Sequence, residues 1–136
     1  MIGLDTNVIL RFLLKDDPVQ LAQVRALFRS FTPERPGWIG IATLLEVEWV
    51  LAGSKSRMNR ETIANALAAL LPLDSVVVEH STAVSQAIQN YRQGKAEFTD
   101  CLIAASARAA GCSEVVTFDR IAARDAGMTL IESLPK

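Results

Sequence analysis

Histidine occurs once in these 136 residues, at His80, and cysteine twice, at Cys101 and Cys112. One imidazole and two thiols outside any Cys-x-x-Cys spacing do not make a zinc set. The two cysteines read instead as small buried hydrophobes in a reducing compartment. Excess positive charge is missing too: 14 Lys and Arg against 15 Asp and Glu leave a net charge of −1. The basic bias that points to nucleic acid is therefore missing, although metal ions and locally placed arginines reverse the sign within a single cleft. No window approaches the ~18–20 apolar residues of a membrane span, and Asp5 interrupts the first apolar run before a signal-peptide core is reached. A cytoplasmic protein without membrane association is expected.

Apolar residues are plentiful. Half the chain is hydrophobic, and surplus apolar surface generally ends in an interface, so a homodimer or a hydrophobic partner is expected. The length suits a single domain, residues 1–136, with no linker, internal repeat or low-complexity tract. Strand and helix signals alternate throughout, the pattern of an α/β domain with a parallel sheet. Five strands are expected, at residues 2–5, 38–42, 75–78, 115–118 and 129–131. About seven helices lie between and after them. The first covers 8–14; the second opens on Asp17, Pro18 and Gln20 (N-cap, first helical position, capping box) and runs to Phe31. Thr43 caps a third through Leu51, Asn59 a fourth through Leu71, and Thr99 a helix to Ala110. Residues 81–93 and 121–126 complete the set. Gly53, Gly94 and Gly111 terminate theirs.

Four acids stand where strands meet helices or on first helical turns: Asp5, Glu46, Asp100 and Asp119. The carboxyl edge of a parallel sheet is where open α/β proteins bind ligands, and neighbouring parallel strands would bring these carboxylates to one edge. Converging carboxylates without a basic partner do not all stay ionised unless a cation lies among them. A divalent metal site follows as the expectation.

Each acid also has a plainer explanation. Asp5 is suited to cap the next helix, with Thr6 able to do so instead. Thr43-Leu44-Leu45-Glu46 has the form of a capping box, and Glu48 competes with Glu46 for any functional role. Against that, Glu46 borders the Leu44, Val47, Val50, Leu51 stripe, where an unpaired carboxylate is costly. Asp100 complements a helix dipole, worth about 0.3–1 kcal/mol, yet an almost wholly apolar run follows it and draws it inward. Asp119 occupies an ordinary turn position. The sharper reading rests on all four occurring in one short α/β chain.

Ile-Gly-Leu-Asp-Thr-Asn at the start, Leu-Glu-Val-Glu-Trp-Val-Leu in mid-chain, Phe-Thr-Asp-Cys-Leu-Ile-Ala-Ala, and Val-Val-Thr-Phe-Asp-Arg together resemble the PIN-domain ribonucleases. More narrowly, the chain resembles the VapC-type toxins of bacterial toxin–antitoxin pairs. The likeness spans essentially the whole chain in order. It implies a three-layer α/β/α sandwich around a central, mostly parallel five-stranded sheet. Asp5, Glu46, Asp100 and Asp119 then match the family's acidic quartet, as catalytic residues and ligands of Mg²⁺, with Mn²⁺ as the alternative ion. Asn7 matches an accompanying polar position and Thr117 a small hydroxyl position; Thr6 and Arg120 join them as substrate-side or supporting residues. The departure is Glu97, where many relatives carry Asp. The implied activity is endonucleolytic cleavage of RNA by metal-activated water, restrained by a cognate protein antitoxin that covers the active site. Arg11, Lys15, Arg120 and Arg124 are read as phosphate contacts from their closeness in sequence to the acids, and Phe12 and Trp49 as anchors for the inhibitor.

Two other phosphate-handling folds fit poorly. A phosphoacceptor receiver domain needs an Asp ending the third strand and a late Lys, whereas here Glu79-His80 and Asp119-Arg120 stand there. A haloacid-dehalogenase-type phosphatase needs Asp-x-Asp after the first strand, and Asp5-Thr6-Asn7 lacks the second Asp. The alternative from another class is a non-catalytic PIN-like module that binds RNA or protein.

Overall fold

Asp5 decides where the first strand stops. In a computed structural model of the chain, which describes residues 1–53 and 55–135, β1 covers only Ile2–Gly3. Asp5 is extended, and its Oδ1 accepts the Thr6 N–H at 2.8 Å. That contact starts α1 (Thr6–Leu14) two residues earlier than the apolar pattern indicated. Lys15, at φ 56°, closes the helix. The chain then falls into two compact units, Met1–Glu79 and His80–Lys136.

In Met1–Glu79, α2 (Pro18–Arg29) opens as its sequence indicates, with Asp17 accepting the Gln20 N–H. Then come β2 (Gly37–Ile39), α3 (Ile41–Ala52), α4 (Arg60–Ala69) and β3 (Val76–Val78). The strands form a parallel sheet in the order β1-β2-β3, with Gly3 opposite Trp38 and Ile39 opposite Val78. Ile9, Ile39, Leu44, Val47, Leu51, Ile63, Leu67 and Leu70 are buried in its core. Gly37 is required by packing: a Cβ there would lie 2.6 Å from the Phe31 ring.

The expected second strand to residue 42, and the Thr43 cap after it, are both corrected. The chain leaves the sheet after Ile39, and Gly40 is the N-cap of α3. The cause lies 38 residues away: Glu79 Oε1 accepts the Ile41 N–H at 2.9 Å. A carboxylate at the end of β3 thus satisfies an otherwise orphaned amide of the first turn, and helix forms earlier.

In His80–Lys136, α5 (Ser81–Gln93) and α6 (Phe98–Ala109) pack together, followed by β4 (Val116–Thr117), α7 (Arg120–Asp125), β5 (Thr129–Leu130) and a 3₁₀ turn at Ile131–Ser133. β4 and β5 form a separate two-stranded parallel sheet. Five strands and parallel pairing were legible, but the expected single five-stranded sheet is corrected: the ladders among the described residues are one of three strands and one of two.

Buried Ala83, Val84, Ala87, Ile88 and Tyr91 of α5 meet Phe98, Cys101, Leu102, Ala104 and Ala105 of α6. Tyr91 and Phe98 pack edge to face at 5.8 Å. α6 starts at Phe98 behind Glu97, which makes no side-chain cap, so Thr99 lies inside the helix and does not cap it. The helix is one-sided, with Ile103 49% exposed. Cys112 is likewise corrected from buried to exposed, because Gly111, at φ 97°, turns the chain out of the helix. Ala104→Leu inserts three carbons where Ala104 is 2% exposed. It is expected to lower stability by about 1–3 kcal/mol, read as the midpoint of denaturant unfolding.

Candidate functional site

Asp5 and Asp119 share one local design. Each follows a parallel strand, is solvent-exposed, and caps the next helix with a single carboxylate oxygen. Asp119 Oδ1 accepts the N–H groups of Ile121 (2.8 Å) and Ala122 (3.0 Å). Thr117 Oγ1 accepts the Asp119 N–H at 3.0 Å, so the hydroxyl expected near the site holds the turn that presents this acid. Asp5 uses Oδ1 for Thr6, which is the buried polar residue of the described chain at 6% exposure. In both acids Oδ2 points into no hydrogen bond among the described residues. The capping explanation and the ligand explanation are therefore compatible, because they use different oxygens.

Glu46 is exposed on α3. The helix buries Leu44, Val47 and Leu51, and Glu46 lies roughly 100° around the axis from Val47. It is thus outside the core stripe that would have made its charge costly, and the Thr43–Glu46 capping box does not form. Glu48 is the half-buried acid of this helix. Asp100 is half-buried in the first turn of α6. The side chains of Glu46 and Asp100 make no hydrogen bond or ion pair among the described residues.

Asp5 and Glu46 belong to Met1–Glu79, Asp100 and Asp119 to His80–Lys136. Among the described residues, no group of three or more His, Cys, Asp or Glu is gathered closely enough to hold a metal ion. The donor chemistry nonetheless suits a hard divalent cation. All four candidates offer carboxylate oxygen, and none is neutralised by an Arg or Lys of the described chain. Mg²⁺ keeps several of its waters and requires only one or two protein carboxylates.

The basic residues fare differently from their sequence reading. Arg11 pairs with Asp16 at 3.1 Å, Arg120 with Glu132 at 3.1 Å, and Arg124 with Asp125 at 2.9 Å. Three of the four expected phosphate contacts thus already hold a carboxylate. Lys15 instead occupies the left-handed cap of α1 and is exposed. Asn7 and Arg11 line an apolar cleft of about 280 Å³ between α1 and α2. Phe12 is half-buried and stacks on Phe28 at 4.9 Å, whereas Trp49 is 75% exposed.

Asp125 was not singled out by sequence. It accepts from the Lys95 N–H at 2.8 Å as well as from Arg124. The Arg124 hydrogen bond, then the Lys95 amide, lower its pKa from 3.8 to about 2. A carboxyl group depressed in the folded state stabilises fully above its unfolded pKa, and that contribution is lost as pH falls through the folded value. Asp125→Asn is therefore expected to flatten the acid limb of stability between about pH 4 and pH 2, measured by urea unfolding across that range. An unchanged limb would show the contact absent in solution.

No helix among the described residues is long and apolar enough to cross a membrane. No curated protein and no solved structure matches the chain. The PIN domain family model matches residues 2–127, a span holding all four acids. With that span covering nearly the whole chain, and two of its acids presented at strand ends, the chain belongs to the PIN-domain family and has a nuclease-type, hydrolytic function.

Proposed function

We propose that this protein is a Mg²⁺- or Mn²⁺-dependent endoribonuclease and the toxin of a toxin–antitoxin pair, a single PIN domain with Asp5, Glu46, Asp100 and Asp119 as its acidic site. The carrying observation is the shared geometry of Asp5 and Asp119. Each spends one oxygen on a helix N-terminus and leaves the other unbonded, at the strand end where α/β proteins bind ligands. These four carboxylates would hold the ion. The chemistry supplied by such an ion would be Lewis-acid polarisation of the phosphodiester and a lowered pKa of the attacking water. The chain's own contribution is to orient and to accept protons. Thr117 fixes Asp119 through its backbone, the buried Thr6 fixes Asp5, and an unpaired Asp100 or Glu46 carboxylate is available to take a proton. Asn7, exposed on the first turn of α1, would donate to substrate.

RNA as substrate, a protein antitoxin, a homodimer and a cytoplasmic location belong to the same proposal. An inhibitor would present Arg or Lys to the acidic site, a charge-assisted contact, and would rest apolar residues on exposed side chains such as Trp49. The test is purified protein incubated with single-stranded RNA in Mg²⁺, Mn²⁺ or chelator. Metal-dependent internal cleavage is expected; RNA left intact in all three conditions would favour the non-catalytic binding module. Purification together with the product of the neighbouring gene, followed by measurement of mass and RNase activity, tests inhibition and assembly.

A further inference from the structure

Phe118 stands directly before Asp119 and is 85% exposed, the most exposed large hydrophobic side chain described. Its ring packs on none of the other described aromatic rings; the ring pairs among them are Phe12–Phe28, Phe28–Phe31 and Tyr91–Phe98. Folding has thus left its largest β4-side apolar group in water. The ring is one wall of a cleft of about 290 Å³ whose other lining residues are Thr117, Arg120, Leu130, Ile131 and Glu132. That is near the lower end of small-ligand sites, roughly 300 Å³ upward.

The polar edge of this cleft is specific. Arg120 Nη2 and Glu132 Oε1 meet at 3.1 Å and remain 77% and 64% exposed, so both keep unused hydrogen-bonding capacity. A guanidinium donates to the O6 and N7 acceptors of guanine, and a carboxylate accepts from its N1–H and N2–H groups. An aromatic ring for stacking, aliphatic walls, and a donor beside an acceptor together match one unstacked nucleobase. A wholly apolar partner face would instead leave Arg120 and Glu132 unsatisfied.

We infer that the Phe118–Arg120–Glu132 cleft is a base subsite that stacks an unpaired guanine of the RNA substrate and sets which nucleotide lies beside Asp119. The inference rests on the ribonuclease reading for its substrate, and binding can be measured apart from cleavage.

The full chain is titrated, in chelator, into fluorescent 12-nucleotide RNAs of polyuridine carrying one central guanine, inosine or adenine. Affinity is read by anisotropy and stacking by quenching of a 2-aminopurine placed at the same position. Guanine is expected to bind best, with Phe118→Ala weakening binding about 5- to 100-fold and abolishing the quenching, and Phe118→Trp retaining both. Glu132→Gln is expected to remove the preference for guanine over inosine, which lacks the N2 amino group. Equal affinity for the three RNAs, or unchanged binding by Phe118→Ala, would overturn the subsite. So would a Phe118→Ala variant that loses only self-association in sedimentation, since the ring would then be a protein contact. Guanine-dependent binding with no cleavage in Mg²⁺ or Mn²⁺ would keep the subsite and remove the nuclease. Metal-dependent cleavage indifferent to Phe118 and to guanine would do the reverse.

Discussion

Asp5→Asn and Asp119→Asn each lower metal-dependent RNA cleavage by about 10³-fold, on the proposal that both acids serve the metal site. Loss of several kcal/mol of transition-state stabilisation corresponds to that factor. Stability is expected to change by less than about 1 kcal/mol, the worth of one charge at a helix N-terminus. The asymmetry follows from the two oxygens. Asparagine keeps an acceptor for Thr6 N–H at position 5, and for Ile121 and Ala122 N–H at position 119, but it supplies no anionic oxygen. Alanine at the same positions removes the cap as well and adds about 0.5–2 kcal/mol of destabilisation. Comparing the two substitutions therefore separates a capping role from a ligand role. Thermal melts and a gel-based cleavage assay with Mg²⁺ and Mn²⁺ read the two quantities. Wild-type cleavage by both asparagine variants would leave Asp5 and Asp119 as caps only.

Phe98→Ala is expected to cost about 3–5 kcal/mol. Phe98 is fully buried, is the first residue of α6, and packs edge to face on Tyr91 of α5. Its loss opens a cavity between the two helices and removes an aromatic pair worth about 0.5–1.5 kcal/mol beyond burial. Against the 5–15 kcal/mol typical of a whole domain, that approaches global unfolding. Asp100 lies two residues further along the same first turn, so fraying there would disturb the acid as well. Phe98→Leu keeps most of the volume and is expected to retain most of the stability. Urea unfolding of the three proteins gives the ranking; equal midpoints would show that the α5–α6 seam does not limit stability.

Local chemistry was legible in the sequence at helix starts whose cap and first-turn amide lie within one turn and meet no competing partner. Asp17 with Gln20 and Asn59 with Thr62 cap their helices as the sequence indicates, and α5 spans Ser81–Gln93 as its pattern requires. The order of elements and the parallel pairing followed from the alternation of patterns, and the family from the resemblance of four short motifs taken in order. The positions of Asp5 and Asp119 at strand ends did too, since an apolar run followed by Asp is a feature of a few adjacent residues. Tertiary structure decided what depends on distant partners. Glu79 starts α3 at Ile41 from 38 residues away, which no window around Thr43 contains. Glu132 occupies Arg120 from twelve residues away, and Glu46 turned out to lie off its helix's buried stripe. The division of five strands into ladders of three and two was equally hidden. The physical reason is common to these cases: a cap within a turn is fixed by covalent spacing, whereas an ion pair, a helix phase or a ladder's edge is fixed by which surfaces meet.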